Sequence, residues 1–153
     1  MEIEKFLSLG TDLEIQISGL YEKISTLTHD NAISKQLIKI SREELTHAST
    51  LKMGKSYLKE APDIFHGVNI DEKELNQGLK ECRELYDQIK PNSAVLPFLK
   101  STLNFEKRFE KIHLGVSVIV SDAHLKQLFQ ALASGDQNHI KALQEMISAL
   151  EAH

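Results

Sequence analysis

The stretch Ser41-Arg42-Glu43-Glu44-Leu45-Thr46-His47-Ala48 decides how this chain is read. It lies in a segment with helical apolar spacing, where residues three apart share a face. The Glu44 carboxylate and the His47 imidazole can therefore reach one metal ion. The bare pattern is weak: carboxylate-x-x-His occurs at 44/47, 63/66, 110/113 and 136/139, and composition alone predicts about one such pair. The arrangement around it is stronger. Glu14 lies 30 residues before Glu44, and Glu106 lies 30 residues before Asp136, which opens Asp136-Gln137-Asn138-His139. A single shift of 92 residues relates Glu14 to Glu106, Glu44 to Asp136 and His47 to His139.

Apolar residues recur at helical spacing through 2–28 (Ile3, Phe6, Leu7, Leu13, Ile17, Leu20, Ile24) and again through 32–59 (Ile33, Leu37, Ile40, Leu51, Leu58). His29-Asp30-Asn31 separates them, with Asp30 or Asn31 able to cap the second helix. Residues 60–70, with Pro62, Gly67 and Asn69, read as a connection, so Asp63-Ile64-Phe65-His66 is a coincidental match. Asp71 with Glu74 resembles a capping box and opens a shorter, mostly polar helix on the outside, ending near Lys90 before Pro91. A third long helix is expected from Ser93, with Pro97 in or near its first turn. A fourth follows Ser121-Asp122 and runs to about Leu150. Gly135 costs it about 1 kcal/mol relative to alanine; it is either a tolerated defect or a place where a neighbour comes close. His29, His124 and His153 fall in turns or at ends, and Glu22 and Glu43 read as surface charges.

The midpoint of Glu14 and Glu44 is residue 29, and that of Glu106 and Asp136 is residue 121, both at expected turns. At 1.5 Å per residue each carboxylate lies roughly 22 Å from its turn, so the members of each pair share a height in an antiparallel hairpin. The core repeats at the same offset: Leu13/Phe105, Ile17/Phe109, Leu20/Ile112, Leu37/Phe129, Ile40/Leu132 and Leu51/Leu143. The expectation is an all-α chain, residues 1–153 forming one domain, with two helical hairpins joined by a long crossover that carries the short extra helix. Four inward carboxylates without cations are costly, and two divalent ions would remove the cost.

Glu14, Glu44-Leu45-Thr46-His47, Glu106 and Asp136-Gln137-Asn138-His139 resemble the ferritin-like di-iron carboxylate proteins. Tyr21, seven residues after Glu14, together with Lys35-Gln36-Leu37 leading into Ile40-Ser41-Arg42-Glu43-Glu44, looks most like the rubrerythrin branch. The resemblance spans nearly the whole chain outside about 60–92. It implies a ferritin-like four-helix bundle and two iron ions, with manganese or zinc as substitutes. The ligands would be Glu14, Glu44, His47, Glu106, Asp136 and His139, with Glu44 and Asp136 bridging and one histidine on each ion. It further implies oxidoreductase activity towards peroxide or oxygen, and is compatible with a homodimer. The rival expectation is a non-catalytic bundle holding zinc or a single ion.

Three departures from that pattern stand out. Asp136 is one methylene shorter than the usual glutamate. His113 occupies the repeat mate of Tyr21, as an extra ligand or a residue supporting one. No four-cysteine rubredoxin-like module is present, so electrons would come from a separate donor protein. Glu110 is a candidate for the additional carboxylate of rubrerythrins, but it follows Glu106 by four residues rather than three.

Composition narrows the rest. At 153 residues the chain can bury a sizeable core, and 41% hydrophobic with 26% charged residues argues against disorder and against a membrane class. No apolar run approaches the roughly 18 residues of a membrane span, and Met1-Glu2-Ile3-Glu4-Lys5 does not open a signal peptide, so a cytoplasmic location is expected. The lone Cys82 leaves no internal disulfide. A net charge of -4 with scattered lysine and arginine argues against nucleic acid as a partner.

Overall fold

The computed structural model describes residues 1–61 and 70–152 and is all-helical over them. The match at Asp63 and His66, the expected loop around it, and His153 lie outside the described residues. Five helices follow in order: α1 Ile3–Ser25, α2 Asn31–Glu60, α3 Glu72–Gln88, α4 Val95–Ile119 and α5 Ala123–Glu151. Their ends follow local chemistry. The Asp30 carboxylate accepts from the backbone N–H of Ala32 and Ile33, Asp71 from Lys73, and Asp122 from Leu125, each occupying donors that a helix start leaves unpaired. Ser93 does not cap α4: its hydroxyl accepts from the Lys90 N–H, and the helix begins two residues later at Val95. Pro97 thus falls in the first turn, where its missing N–H has no helical partner to lose.

Contacts between helices fix their directions. Ser18 and Ser41 exchange hydroxyl-to-carbonyl hydrogen bonds of 2.8 Å, and Ser34 reaches the Ser25 carbonyl, so α1 and α2 run antiparallel about the turn at 29–30. His113–Asp136 and Lys100–Glu151 make α4 and α5 antiparallel in the same way. Tyr21–Glu106 sets α1 against α4, and Tyr57–Asp122 sets α2 against α5. Each of these four helices therefore runs opposite to the two it touches. α2 and α4 run the same way, so the chain must travel back between them. α3 makes that return along α1, with Lys5–Glu72 near one end and Lys23 on the Tyr86 carbonyl near the other. It buries Leu75, Gly78, Leu79 and Cys82 and leaves its remaining faces to solvent.

The core is a continuous set of aliphatic and phenyl side chains, including Phe6, Leu7, Ile17, Leu20, Leu37, Leu51, Leu99 and Phe129. Its buried carboxylates and imidazoles, Glu14, Glu44, Glu106, His113, Asp136 and His139, gather at one level. None of the described helices is long and apolar enough to cross a membrane.

Candidate metal centre

Each of the four long helices sends polar side chains to this level from its middle. α1 supplies Glu14 and Tyr21, α2 Glu44 and His47, α4 Glu106 and His113, and α5 Asp136 and His139. Apolar neighbours on the same faces turn them inward: Leu13 and Ile17 beside Glu14, Phe105 and Phe109 beside Glu106, Leu132 and Leu143 beside Asp136 and His139. All are buried except His47, which is partly exposed.

Glu44 stands between two imidazoles. Its Oε1 is 2.8 Å from His139 Nδ1, and its Oε2 is 3.3 Å from His47 Nδ1. The two rings stack with centroids 5.3 Å apart. His139 Nδ1 also lies 3.4 Å from Glu106 Oε1, which accepts the Tyr21 hydroxyl at 2.7 Å. On the far side, His113 Nδ1 and Asp136 Oδ2 are hydrogen-bonded at 2.6 Å, and His113 Nε2 faces Glu14 Oε1 at 4.0 Å. Glu14 turns its other oxygen towards His47 Nδ1, at 3.8 Å.

The six ligands expected from the sequence thus meet in one layer, but not in two matching halves. His47 and His139 stack against each other, and Asp136 pairs with His113 rather than with Glu106. The α4–α5 register accounts for this. Its contacts straddle a point about three residues beyond the expected midpoint at 121, and Asp136 meets His113 instead of Glu106. Three repeated core positions are aliphatic in the first pair (Leu13, Ile17, Leu37) and phenyl in the second (Phe105, Phe109, Phe129). The second pair therefore cannot pack as a copy of the first.

Glu110 does not join the layer; it accepts from the Gln137 amide at 3.0 Å on the surface. Glu43, read from sequence as a surface charge, lies 3.5 Å from His139 Nε2, the ring nitrogen facing away from Glu44. Its adjacency to Glu44 was the only available signal, because a helix rarely directs consecutive residues to one site. Gly135 is the place where a neighbour comes close. A Cβ there would overlap His47 Nε2 and lie 2.8 Å from Cε1.

Burial and mutual repulsion set the protonation of the layer. Burial, then Glu44, holds the Glu14 carboxyl well above its ordinary range; burial, then Glu106, does the same to Glu44. Burial raises Asp136 in spite of His113. Burial would raise Glu106 as well, but His139 and Glu44 beside it and the hydroxyl donated by Tyr21 outweigh it and the group is lowered. Burial opposes charge on His47, His113 and His139, yet Glu14, Asp136 and Glu106 respectively overcome it and raise all three.

These residues fit a metal. Among the described residues, eight buried side-chain atoms have no hydrogen-bond partner, and all eight belong to Glu14, Glu44, His47, Glu106, Asp136 and His139. No lysine or arginine is among the buried described residues. Four carboxylates match the charge of two divalent ions, and imidazole with carboxylate suits iron, manganese or zinc. Leaving that many polar atoms orphaned in a core costs several kcal/mol, a cost that bound cations would remove.

No protein-family model and no solved structure matches the chain. It is similar to one subunit of the ATP-dependent helicase/nuclease from two strains of Streptococcus thermophilus, 29% identical over 117 residues in each case. That match takes in 75% of this chain but only 9% of those proteins, too small a share to pass on their activity.

Proposed function

We propose that this chain binds two divalent metal ions, iron in the first place, at the centre of a ferritin-like four-helix arrangement of α1, α2, α4 and α5. The observation that carries the reading is the set of unpartnered buried oxygens and nitrogens, which come from all four helices and face one another at one level. Glu14, Glu44, Glu106, Asp136, His47, His139 and His113 would hold the ions. Tyr21 fixes Glu106 by its hydrogen bond, and Glu43 faces the outer nitrogen of His139 as metal-ligating histidines commonly require.

With iron bound, the pair supplies two-electron chemistry, and we propose reduction of peroxide or oxygen with electrons from a separate donor protein. The chain's own part is to supply ligands and exclude water: the buried Phe129 ring lies against His113 with centroids 6.3 Å apart, and partly exposed His47 marks the layer's access to solvent. The Tyr21 hydroxyl is a buried proton donor directed at Glu106.

The Asp136–His113 hydrogen bond favours a second reading, a non-catalytic site for zinc or a single ion, because it engages one oxygen of a short carboxylate. Loading the metal-free protein anaerobically with ferrous iron, then adding hydrogen peroxide, separates the two. Consumption of peroxide with matched oxidation of iron, repeated after re-reduction, supports the first. Stoichiometric binding without peroxide consumption beyond free iron leaves the second.

A further inference from the structure

The donor atoms of the layer sort into two groups, each with its atoms within 4.8 Å of one another: Glu44, His47 and His139, and separately Glu14, His113 and Asp136. The first has two imidazoles and one carboxylate, the second one imidazole and two carboxylates. Their present partners differ as well. Both Glu44 oxygens and both His139 nitrogens are without hydrogen bonds, as is His47 Nδ1. In the second group, Asp136 Oδ2 and His113 Nδ1 already satisfy each other at 2.6 Å.

We propose that these are two inequivalent metal subsites that fill in a fixed order, a claim that rests on the metal-binding reading above. The Glu44–His47–His139 subsite fills first and prefers ions that favour nitrogen, such as zinc, cobalt and ferrous iron. The Glu14–His113–Asp136 subsite fills second, more weakly, and accepts harder ions such as manganese. Two arguments give the order. Nitrogen-rich donor sets separate the first-row ions along the series from manganese upward, whereas carboxylate suits manganese. An ion entering the second subsite must also displace the 2.6 Å His113–Asp136 hydrogen bond in a dry site, while in the first the 2.8 Å approach of Glu44 to His139 is not aligned as a hydrogen bond and costs less to give up.

Glu14 couples the two. One oxygen faces His47 in the first group and the other faces His113 in the second. Occupation of the first subsite therefore draws on a carboxylate that the second also needs. That further separates the two affinities for any one ion.

The test is a titration of metal-free protein with cobalt(II) chloride at neutral pH, followed by visible absorbance and by calorimetry, with circular dichroism as the check on folding. The wild type should bind two equivalents in two phases separated by at least tenfold in affinity. His113→Ala should keep the tight phase and lose the weak one, and His47→Ala should lose the tight phase. His113→Gln and His47→Gln serve where alanine unfolds the chain. Protein carrying one equivalent of zinc should still bind manganese, seen as loss of the free manganese paramagnetic resonance signal. Two indistinguishable equivalents, or a His113 substitution that weakens both phases alike, would overturn the inequivalence while leaving metal binding in place. A folded wild type that binds no cobalt would overturn both claims.

Discussion

Gly135 of α5 and His47 of α2 occupy adjoining space so closely that a single methyl at 135 would overlap the imidazole. A residue with no side chain therefore decides whether another side chain can enter the layer. Gly135→Ala should leave the metal-free fold intact, because alanine favours a helix by about 1 kcal/mol over glycine and partly exposed His47 can swing outward. Metal binding should weaken at least tenfold. Melting curves in chelator, beside a binding isotherm, separate the effects; equal affinity would show that His47 is not a ligand.

Tyr21 and Glu106 offer a second substitution. Tyr21→Phe removes the 2.7 Å hydrogen bond and leaves a buried carboxylate oxygen short of a donor. The metal-free protein should lose about 1–3 kcal/mol. Urea unfolding in chelator gives the number, and a change below about 0.5 kcal/mol would mean that Glu106 finds another partner.

Glu44 is the opposite case. It sits among other carboxylates with neither oxygen hydrogen-bonded, so Glu44→Gln removes a buried charge from a repulsive set. The metal-free variant should melt higher than the metal-free wild type, and the metal-loaded variant lower than the loaded wild type. Such an exchange of stability for function is common at binding sites. A variant less stable in both states would contradict it.

The pH dependence should reverse sign with metal. Glu14 and Glu44 are raised above 4.5, Asp136 above 3.8, and His47, His113 and His139 above 6.5. These six bind protons more tightly folded than unfolded. Their contribution is complete below the unfolded values and is lost as pH rises through the folded ones. Glu106, lowered from 4.5, opposes them: its contribution is present above that value and lost as pH falls. The metal-free protein should therefore lose stability between about pH 5 and pH 8. The loaded protein should gain it, because ligation needs deprotonated donors. Parallel slopes in melting temperature would contradict the assignment.

Much of this was legible in the sequence. The period of apolar residues marked the four long helices, the capping pattern at Asp71 and Glu74 marked the short one, and Asp30 and Asp122 marked two further starts. The 30-residue spacing placed four carboxylates and two histidines at one level. The pairing within the layer was not legible, because it depends on how far α5 slides along α4. The two pairs differ in side-chain volume at 105, 109 and 129, where a binary apolar pattern treats phenylalanine like the leucine and isoleucine of the other pair. The same slide made His113 part of the layer, and the difference between three and four residues turned Glu110 outward to Gln137. Glu43 was hidden because consecutive helical residues rarely face one site, yet its carboxylate lies 3.5 Å from His139.

The central claim is that this layer is a two-metal site, and metal content tests it most directly. Metal-free wild type, equilibrated with ferrous iron or zinc and freed of excess, should retain two ions per chain by elemental analysis. The double variant Glu44→Gln with His139→Ala, still helical by circular dichroism, should retain none or one. A folded wild type that retains no ion, or a double variant that still holds two, would contradict the account.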